Sequence, residues 1–337
     1  MRSLFAACCG LFLALTLLAA EKPLQIYFID VEGGQSTLFV APGGHSLLID
    51  TGWPGNNYRD AYRIIKAMKH AGISKLDDVL ITHYHADHAG GAEQLASKVK
   101  IGTFYDHGPT RETGNAASYL YASYQKAIAN SQHVVVKPGN TIPVKGLDVT
   151  VVSADGNLID HALPGAGQPN SYCKGVEQKP VDNTENARST GTVLEFGKFR
   201  IVDLGDLTWD KELGLMCPDN KLGHADLLVV SHHGIDQSNS PALIDGLAPR
   251  VAIMDNGQKK GAVPSAWDIV HSSPGLEDLW QLHFADAGGK EHNVPDAYIA
   301  NVNEGDTGFY LKVTAHEDGS FEVYNQRNKF SKPYPAK

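Results

Sequence analysis

The chain has 337 residues, 42% hydrophobic and 20% charged. That globular balance excludes a disordered chain and allows one large α/β domain or two smaller ones. Lys and Arg number 29 against 38 Asp and Glu, a net charge of −9, so binding to nucleic acid would need a local basic patch or metal ions.

In chain order, a basic start (Met1, Arg2, Ser3) is followed by the uncharged run Leu4 to Ala20, with small Ala19 and Ala20 before Glu21. This is the layout of a secretory signal peptide over residues 1–20, cleaved near Ala20 and leaving 21–337 as a periplasmic or secreted domain. An uncleaved membrane anchor is the alternative, since the run is barely long enough to span. Short β-like runs follow in LQIYFID, STLFVA and HSLLIDTG, with a hairpin at PGG between the last two. YRDAYRIIKAMKHAG has the apolar spacing of a helix that stops at Gly72. DDVLITHYH reads as a buried strand, HAGGAEQLASKV as a helix, KIGTFYDHG as a strand and AASYLYASYQKAIAN as a helix. HVVVKPG, TIPVKG and LDVTVVSA are further strands.

Residues 155–189 have no clear periodicity and are rich in Gly, Pro and Asn. A loop this long is often functional, and it is expected to lie over the site. Regular patterning resumes with the hairpin GTVLEFG–FRIVDLGD, the strands ADLLVVSHHG, RVAIMDNG and LWQLHFA, and the helices SPALIDGLA and SAWDIVHSS. A hairpin turning at Asp318-Gly319 ends a C-terminal extension, 286–337, which is expected to pack outside the main body. Two strand–helix halves imply one domain with two central sheets and helices outside. Beyond the leader the cysteines are Cys173 and Cys217, which suit one disulfide in an exported chain or two free thiols.

The chemistry concentrates in THYHADHAGG at residues 82–91. Imidazole nitrogens and carboxylate oxygens ligate zinc, manganese or iron. His83 and His85, two apart on an extended run, point the same way. Asp87 and His88 sit at a turn that can aim them at a second point, and Gly90 and Gly91 let a helix start close by. Two ligand pairs on one loop suggest two metals about 3.5–4 Å apart.

This stretch resembles the H-x-H-x-D-H signature of the metallo-β-lactamase superfamily, and the other motifs occur in the family order. They are Asp50 in LLIDTG, Asp206 in IVDLGD and a histidine in LLVVSHHG. The resemblance implies an α+β four-layer αββα sandwich with metals at one edge. It implies His83 and His85 on a first metal, Asp87 and His88 on a second, and Asp206 between them. His232 or His233 completes the second, with Asp87, Asp206 and His233 as the catalytic set and Asp50 orienting the motif loop. The chain departs from the family where a third histidine for the first metal is usual: VTVVSA is followed by Asp155-Gly156-Asn157. His107, Asp155 and His161 are the candidates to fill that place or stand behind it, and an oxygen-rich site would favour manganese over zinc.

IDVEGGQST, ENARSTGTVLEFGKFRIVDLGDL and ADLLVVSHHG also resemble the β-lactamase-like domain of the ComEC family of DNA-uptake channel proteins. The resemblance implies a hydrolase with one or two divalent ions, zinc or manganese, acting on a small-molecule or nucleic-acid phosphodiester. Carbonyl hydrolysis of the β-lactamase or lactonase kind is the alternative, and a non-catalytic metal-containing binding domain is a second. Lys259-Lys260, in NGQKKGA, reads as a solvated turn more than as an anion-binding pair.

Overall fold

The computed structural model describes residues 22–303 and 308–337. The expected leader therefore lies outside the described residues. Two nine-stranded sheets face each other. In the first, the order is Ser331–Tyr334, Phe321–Asn325, Leu311–Ala315, Leu24–Phe28, Thr37–Val40, Ser46–Ile49, Leu76–Leu80, Ile101–Asp106 and Gln132–Val135. The main path of the second runs Ile299–Asn301, Asp278–His283, Val251–Met254, Leu227–Val229, Phe199–Asp203, Gly191–Phe196, Asp148–Ala154 and Thr141–Ile142.

Period-two alternation explains why so many strands read as unbroken apolar runs. Ile26, Phe28, Phe39, Leu47 and Ile49 point between the sheets and meet Val149, Val151, Leu194 and Ile201. Their neighbours Tyr27, Leu38, Val40 and Leu48 point outward under helices Arg59–Ala71 and Asn115–Ile128. In the second half, Val193, Val202, Leu228 and Ala252 lie under Trp209–Met216, Pro241–Leu247 and Pro264–His271. Helices cover the outer faces of the central strands of both sheets, while the edge strand Gln132–Val135 stays exposed, and the result is a four-layer αββα sandwich. Helix Arg59–Ala71 shows the local logic. Ala61, Ile64, Ala67 and Met68 recur on one buried face, and Gly72 ends the helix at φ 77°. Burying Ile64 and Met68 contributes about 1.5–3 kcal/mol each.

Several expectations are corrected. The C-terminal segment is not an outer layer. Leu311–Ala315 pairs with Leu24–Phe28, and Leu311, Val313, Phe321, Val323 and Tyr334 belong to the core between the sheets. The helix expected over 88–99 is two short ones, Ala86–Ala89 and Ala92–Ala96. They are separated by Gly90 and Gly91, where a Cβ would lie 2.1 Å from Ala86 O and from Thr51 O respectively. Helix Trp209–Met216 is not signalled by the sequence, because its eight residues hold few apolar periods. The irregular segment is tied down over much of its length. Asn157–Leu158 extends the second sheet, Gln168–Pro169 pairs with Asp219–Asn220, and Cys173 is disulfide-bonded to Cys217. Its last residues, Glu185 to Arg188, are the part that returns to the candidate site.

The run from Ser46–Ile49 to Gln132–Val135 is parallel, and so is the run from Phe199–Asp203 to Ile299–Asn301. Parallel strands leave their carboxyl ends on one edge, where open α/β sheets place their ligands.

Candidate metal centre

The side chains in question leave the carboxyl ends of these strands. Asp50 follows Ser46–Ile49, the THYHADH loop follows Leu76–Leu80, and Asp206 follows Phe199–Asp203. His232 and His233 follow Leu227–Val229, and Asp255 follows Val251–Met254. Turns with unusual backbone aim them. His232 and His233 are consecutive left-handed residues, at φ 53° and 54°. Such a turn costs about 1–2 kcal/mol per residue and persists because its neighbours hold it. Ala262 N donates to His233 O at 2.8 Å, and a Cβ on Gly261 would come within 2.2 Å of that oxygen. The motif loop is clamped in the same way. Gln35 N donates to Asp87 O at 3.1 Å, Thr51 N donates to His88 O at 2.7 Å, and a Cβ on Gly34 would lie 2.3 Å from Asp87 O.

Two groups of ligand atoms result, each with all atoms within 4.8 Å of one another: Asp87, His88, Asp206 and His233, and His83, His85 and Asp206. Asp206 belongs to both. In the first group His88 Nε2 lies 3.2 Å from Asp206 Oδ2 and 3.3 Å from Asp87 Oδ2. His233 Nε2 is 3.2 Å from Asp87 Oδ2 and 3.6 Å from Asp206 Oδ1. In the second, His83 Nε2 is 3.8 Å from Asp206 Oδ2. Such separations match the edge of a tetrahedron with bonds of about 2.1 Å, roughly 3.4 Å.

Tautomers make the case for a cation. His88 Nδ1 meets Asp50 Oδ2 at 2.7 Å, and His233 Nδ1 meets Asp255 Oδ1 at 3.2 Å. Each ring therefore donates backward and turns a bare Nε2 forward, and these two nitrogens face each other at 3.2 Å. Two lone pairs so close, beside two carboxylates, call for a positive occupant, either protons or a metal. His83 Nε2 and Asp206 Oδ1 are buried without a hydrogen-bond partner. The donor set of mixed nitrogen and oxygen fits a divalent ion such as zinc or manganese.

Charge in the centre follows. Burial opposes ionisation of Asp87 and Asp206, yet His88 and neighbouring cationic groups outweigh it and hold both carboxyls well below their usual range. Burial would likewise depress His88, but Asp206, Asp87 and Asp50 raise it well above an ordinary imidazole. His233 is lifted to about 9, Asp206 and Asp255 prevailing over burial and Lys260. His83 goes the other way, well below 6.5, through burial and the neighbouring His88. The centre is built to attract positive charge.

Asp50 is fully buried and accepts from Thr82 N at 2.8 Å and Thr82 Oγ1 at 2.7 Å as well as from His88. Of the two adjacent histidines, His233 joins the four-residue group and His232 does not. His232 Nε2 stands 3.4 Å from Asp206 Oδ2 and 3.4 Å from Asn186 Nδ2. Half-exposed His85 also reaches Glu112 Oε1, at 3.0 Å.

His107, Asp155 and His161 join neither group. His107 Nε2 is engaged by buried Glu185 at 2.8 Å, Asp155 is paired with Arg111 at 3.0 Å and Arg188 at 2.6 Å, and His161 is exposed beside Asp160. All three line a cleft of about 540 Å³ instead. None of the three has a ligand atom within either group, so none stands in the place of the missing third histidine. A third cluster, Asp30, Glu32 and His283, is neutralised by Arg63, which lies 3.1 Å from Asp30 and 2.9 Å from Glu32.

Sequence reasoning missed Asp255, Glu185 and Asn186 and undervalued Lys260. Lys260 is not a solvated turn residue, because its ammonium pairs with Asp87 Oδ2. The available signal was position. Asp255 ends a strand of the second half as Asp206 does, and Glu185-Asn186 precedes a strand within a Gly- and Asn-rich loop.

Residues 30–176 match the family model described as the metallo-beta-lactamase superfamily. ComE operon protein 3 of Bacillus subtilis is 26% identical over 74% of this chain and 30% of its own length. Thioesterase pkgB of Emericella nidulans is 29% identical over 58% of this chain and 47% of its own. The chain thus spans less than half of either relative. The crystal structure of the metallo-beta-lactamase fold protein YhfI from Bacillus subtilis aligns over 77% of this chain and 97% of that one, with 15% identity and a TM-score of 0.46.

Proposed function

We propose, from the premise that this chain carries a metallo-beta-lactamase superfamily domain, that it is an exported, divalent-metal-dependent hydrolase of phosphodiesters. The observation that carries the reading is the pair of ligand groups sharing Asp206. Divalent cations held there supply a water of lowered pKa and take up charge on the oxygens of the transition state. His83, His85 and Asp206 would hold one ion, and Asp87, His88, His233 and Asp206 would hold the other, zinc or manganese. Asp50 and Asp255 fix the rings of His88 and His233 so that Nε2 faces inward. His232 stands beside Asp206, its Nε2 3.4 Å from Asp206 Oδ2 and 3.4 Å from Asn186 Nδ2, and is placed to contact the substrate.

The resemblance of IDVEGGQST, ENARSTGTVLEFGKFRIVDLGDL and ADLLVVSHHG to the β-lactamase-like domain of the ComEC family supports a phosphodiester, either a small molecule or nucleic acid. Export is supported by the leader-like N-terminus and by the Cys173–Cys217 disulfide, which persists in oxidising compartments. Among the described residues no helix is long and apolar enough to cross a membrane. A second reading, hydrolysis of a carbonyl ester or thioester, is favoured by the likeness to a thioesterase.

The test is hydrolysis of a chromogenic phosphodiester and of a thioester by purified protein, stripped with a chelator and reloaded with manganese or zinc. Phosphodiester turnover that returns with metal and is lost in Asp87→Ala supports the first reading. A kcat/KM that favours the thioester moves the assignment to the second.

A further inference from the structure

Lys260 sets its ammonium against Asp87 of the four-residue group, and its backbone is held from three sides. Gly257 N donates to Lys260 O at 2.9 Å across its own turn. A Cβ on Gly33 would lie 2.8 Å from Gly257 N and 3.1 Å from Lys260 Cβ, so the Val31–Gly34 turn packs directly on this loop. The adjoining Gly261 sits against His233 O. The flexible part is the side-chain stem, which delivers the ammonium to Asp87 Oδ2. That same oxygen lies 3.2 Å from His233 Nε2 and 3.3 Å from His88 Nε2, so it is the one turned toward the ligand group.

An ammonium and a divalent cation on one carboxylate oxygen repel strongly in a site this buried. The two are alternatives. The Lys260 side chain is 29% exposed, against 9% for Asp87, so it lies on the outer side of the pair. Its Nζ is also 5.2 Å from the centroid of Trp53, an aromatic face that can hold an ammonium away from Asp87. On another side of the centre, Arg111 and Arg188 are already paired with Asp155. Among the described residues Asp87 is the one carboxylate that Lys260 pairs with, so a Lys260 that has left it is a positive charge without an ion-pair partner.

We propose that Lys260 is an exchangeable counter-ion. Its ammonium holds Asp87 while the Asp87–His88–Asp206–His233 group lacks a metal. Metal binding there releases it toward Trp53 and the mouth of the site, where it binds an anionic oxygen of the substrate. The substrate class is an oxyanion such as a phosphate ester, which rests on the proposed activity. The device keeps the centre near electrical balance without its metal and adds attraction for an anion once the metal is in place.

One substitution separates this from a structural role, because its two effects have opposite sign. In Lys260→Met, manganese counted by electron paramagnetic resonance and titrated by calorimetry should fill the four-residue group roughly tenfold more tightly, as the competitor is gone. Inorganic phosphate should bind the manganese-loaded variant at least about fivefold more weakly than the loaded wild type. Lys260→Arg keeps the charge and should stay near wild type on both counts. Lys260→Gln repeats the test should the Met variant fold poorly. Unchanged or weaker manganese binding, or unchanged phosphate affinity, overturns the proposal. Neither measurement needs turnover. If the opposed shifts occur and no phosphodiester is cleaved, the activity reading falls and the counter-ion stands.

Discussion

Asp50→Asn is the substitution that tests how the centre is oriented. Asp50 sits at φ 61°, a left-handed conformation that Asn tolerates better than Ala, so the backbone has no reason to move. The carboxylate receives three donors. Oδ1 takes Thr82 N at 2.8 Å, and Oδ2 takes Thr82 Oγ1 at 2.7 Å and His88 Nδ1 at 2.7 Å. An Asn side chain keeps the backbone bond by placing its oxygen at the first position, and this puts an NH2 group where Oδ2 was. The Thr82 hydroxyl can turn its hydrogen away. The His88 ring cannot do so without moving its proton to Nε2, and a protonated Nε2 cannot ligate. The favoured tautomer is thereby inverted. Loss of such an orienting partner costs about 10–100-fold in metal affinity, or about 1.4–2.7 kcal/mol. The assay is calorimetric titration of chelator-stripped protein with zinc, with circular dichroism to show that the variant is folded. Folded Asp50→Asn protein that binds zinc with wild-type affinity and stoichiometry would falsify the tautomer argument.

Three further outcomes are expected. Glu185 is held below its ordinary 4.5, because hydrogen bonds from His107 and from the backbone N–H groups of Arg111 and Tyr84 outweigh its burial. A depressed carboxyl contributes stability that is complete above the unfolded pKa and fades as pH falls through the folded value. Denaturant melts should show Glu185→Gln weaker than wild type by about 1–3 kcal/mol at neutral pH, with the gap closing in acid. Gly34→Ala pushes a methyl into Asp87 O, 2.3 Å away, so bound metal measured by elemental analysis should drop together with the melting temperature. The Cys173–Cys217 bond closes a sequence separation of 44 residues. Cys173→Ser with Cys217→Ser should lose about 2–4 kcal/mol in urea unfolding, and a loss under 0.5 kcal/mol, on the order of a neutral surface change, would show that the irregular segment is held by its other contacts.

Some of this molecule was legible from residues alone because the signals were local. Strands buried on both faces appear as apolar runs, and helix Arg59–Ala71 announces itself by spacing and a terminal glycine. THYHADHAGG crowds ligand atoms into one loop whose glycines admit no side chain. The candidate ligands His83, His85, Asp87 and His88 and the second-half Asp206 could therefore be named before any coordinates. Tertiary structure decided what depends on groups distant in sequence. It took the strand register and the double left-handed turn to put His233, rather than His232, against Asp87 across 146 positions. It placed Asp255 behind His233 and Glu185 against His107, outside both ligand groups. It also brought Leu311–Ala315 back beside Leu24–Phe28, a pairing that apolar alternation allows but does not specify. Lys260 marks the boundary most clearly. In sequence it is half of a two-lysine turn, and its partner Asp87 lies 173 residues away, so only the folded chain shows its charge in the centre. Periodicity and spacing are properties of a few consecutive residues, whereas a charge pair between loops at the carboxyl ends of two sheets exists once those sheets have packed.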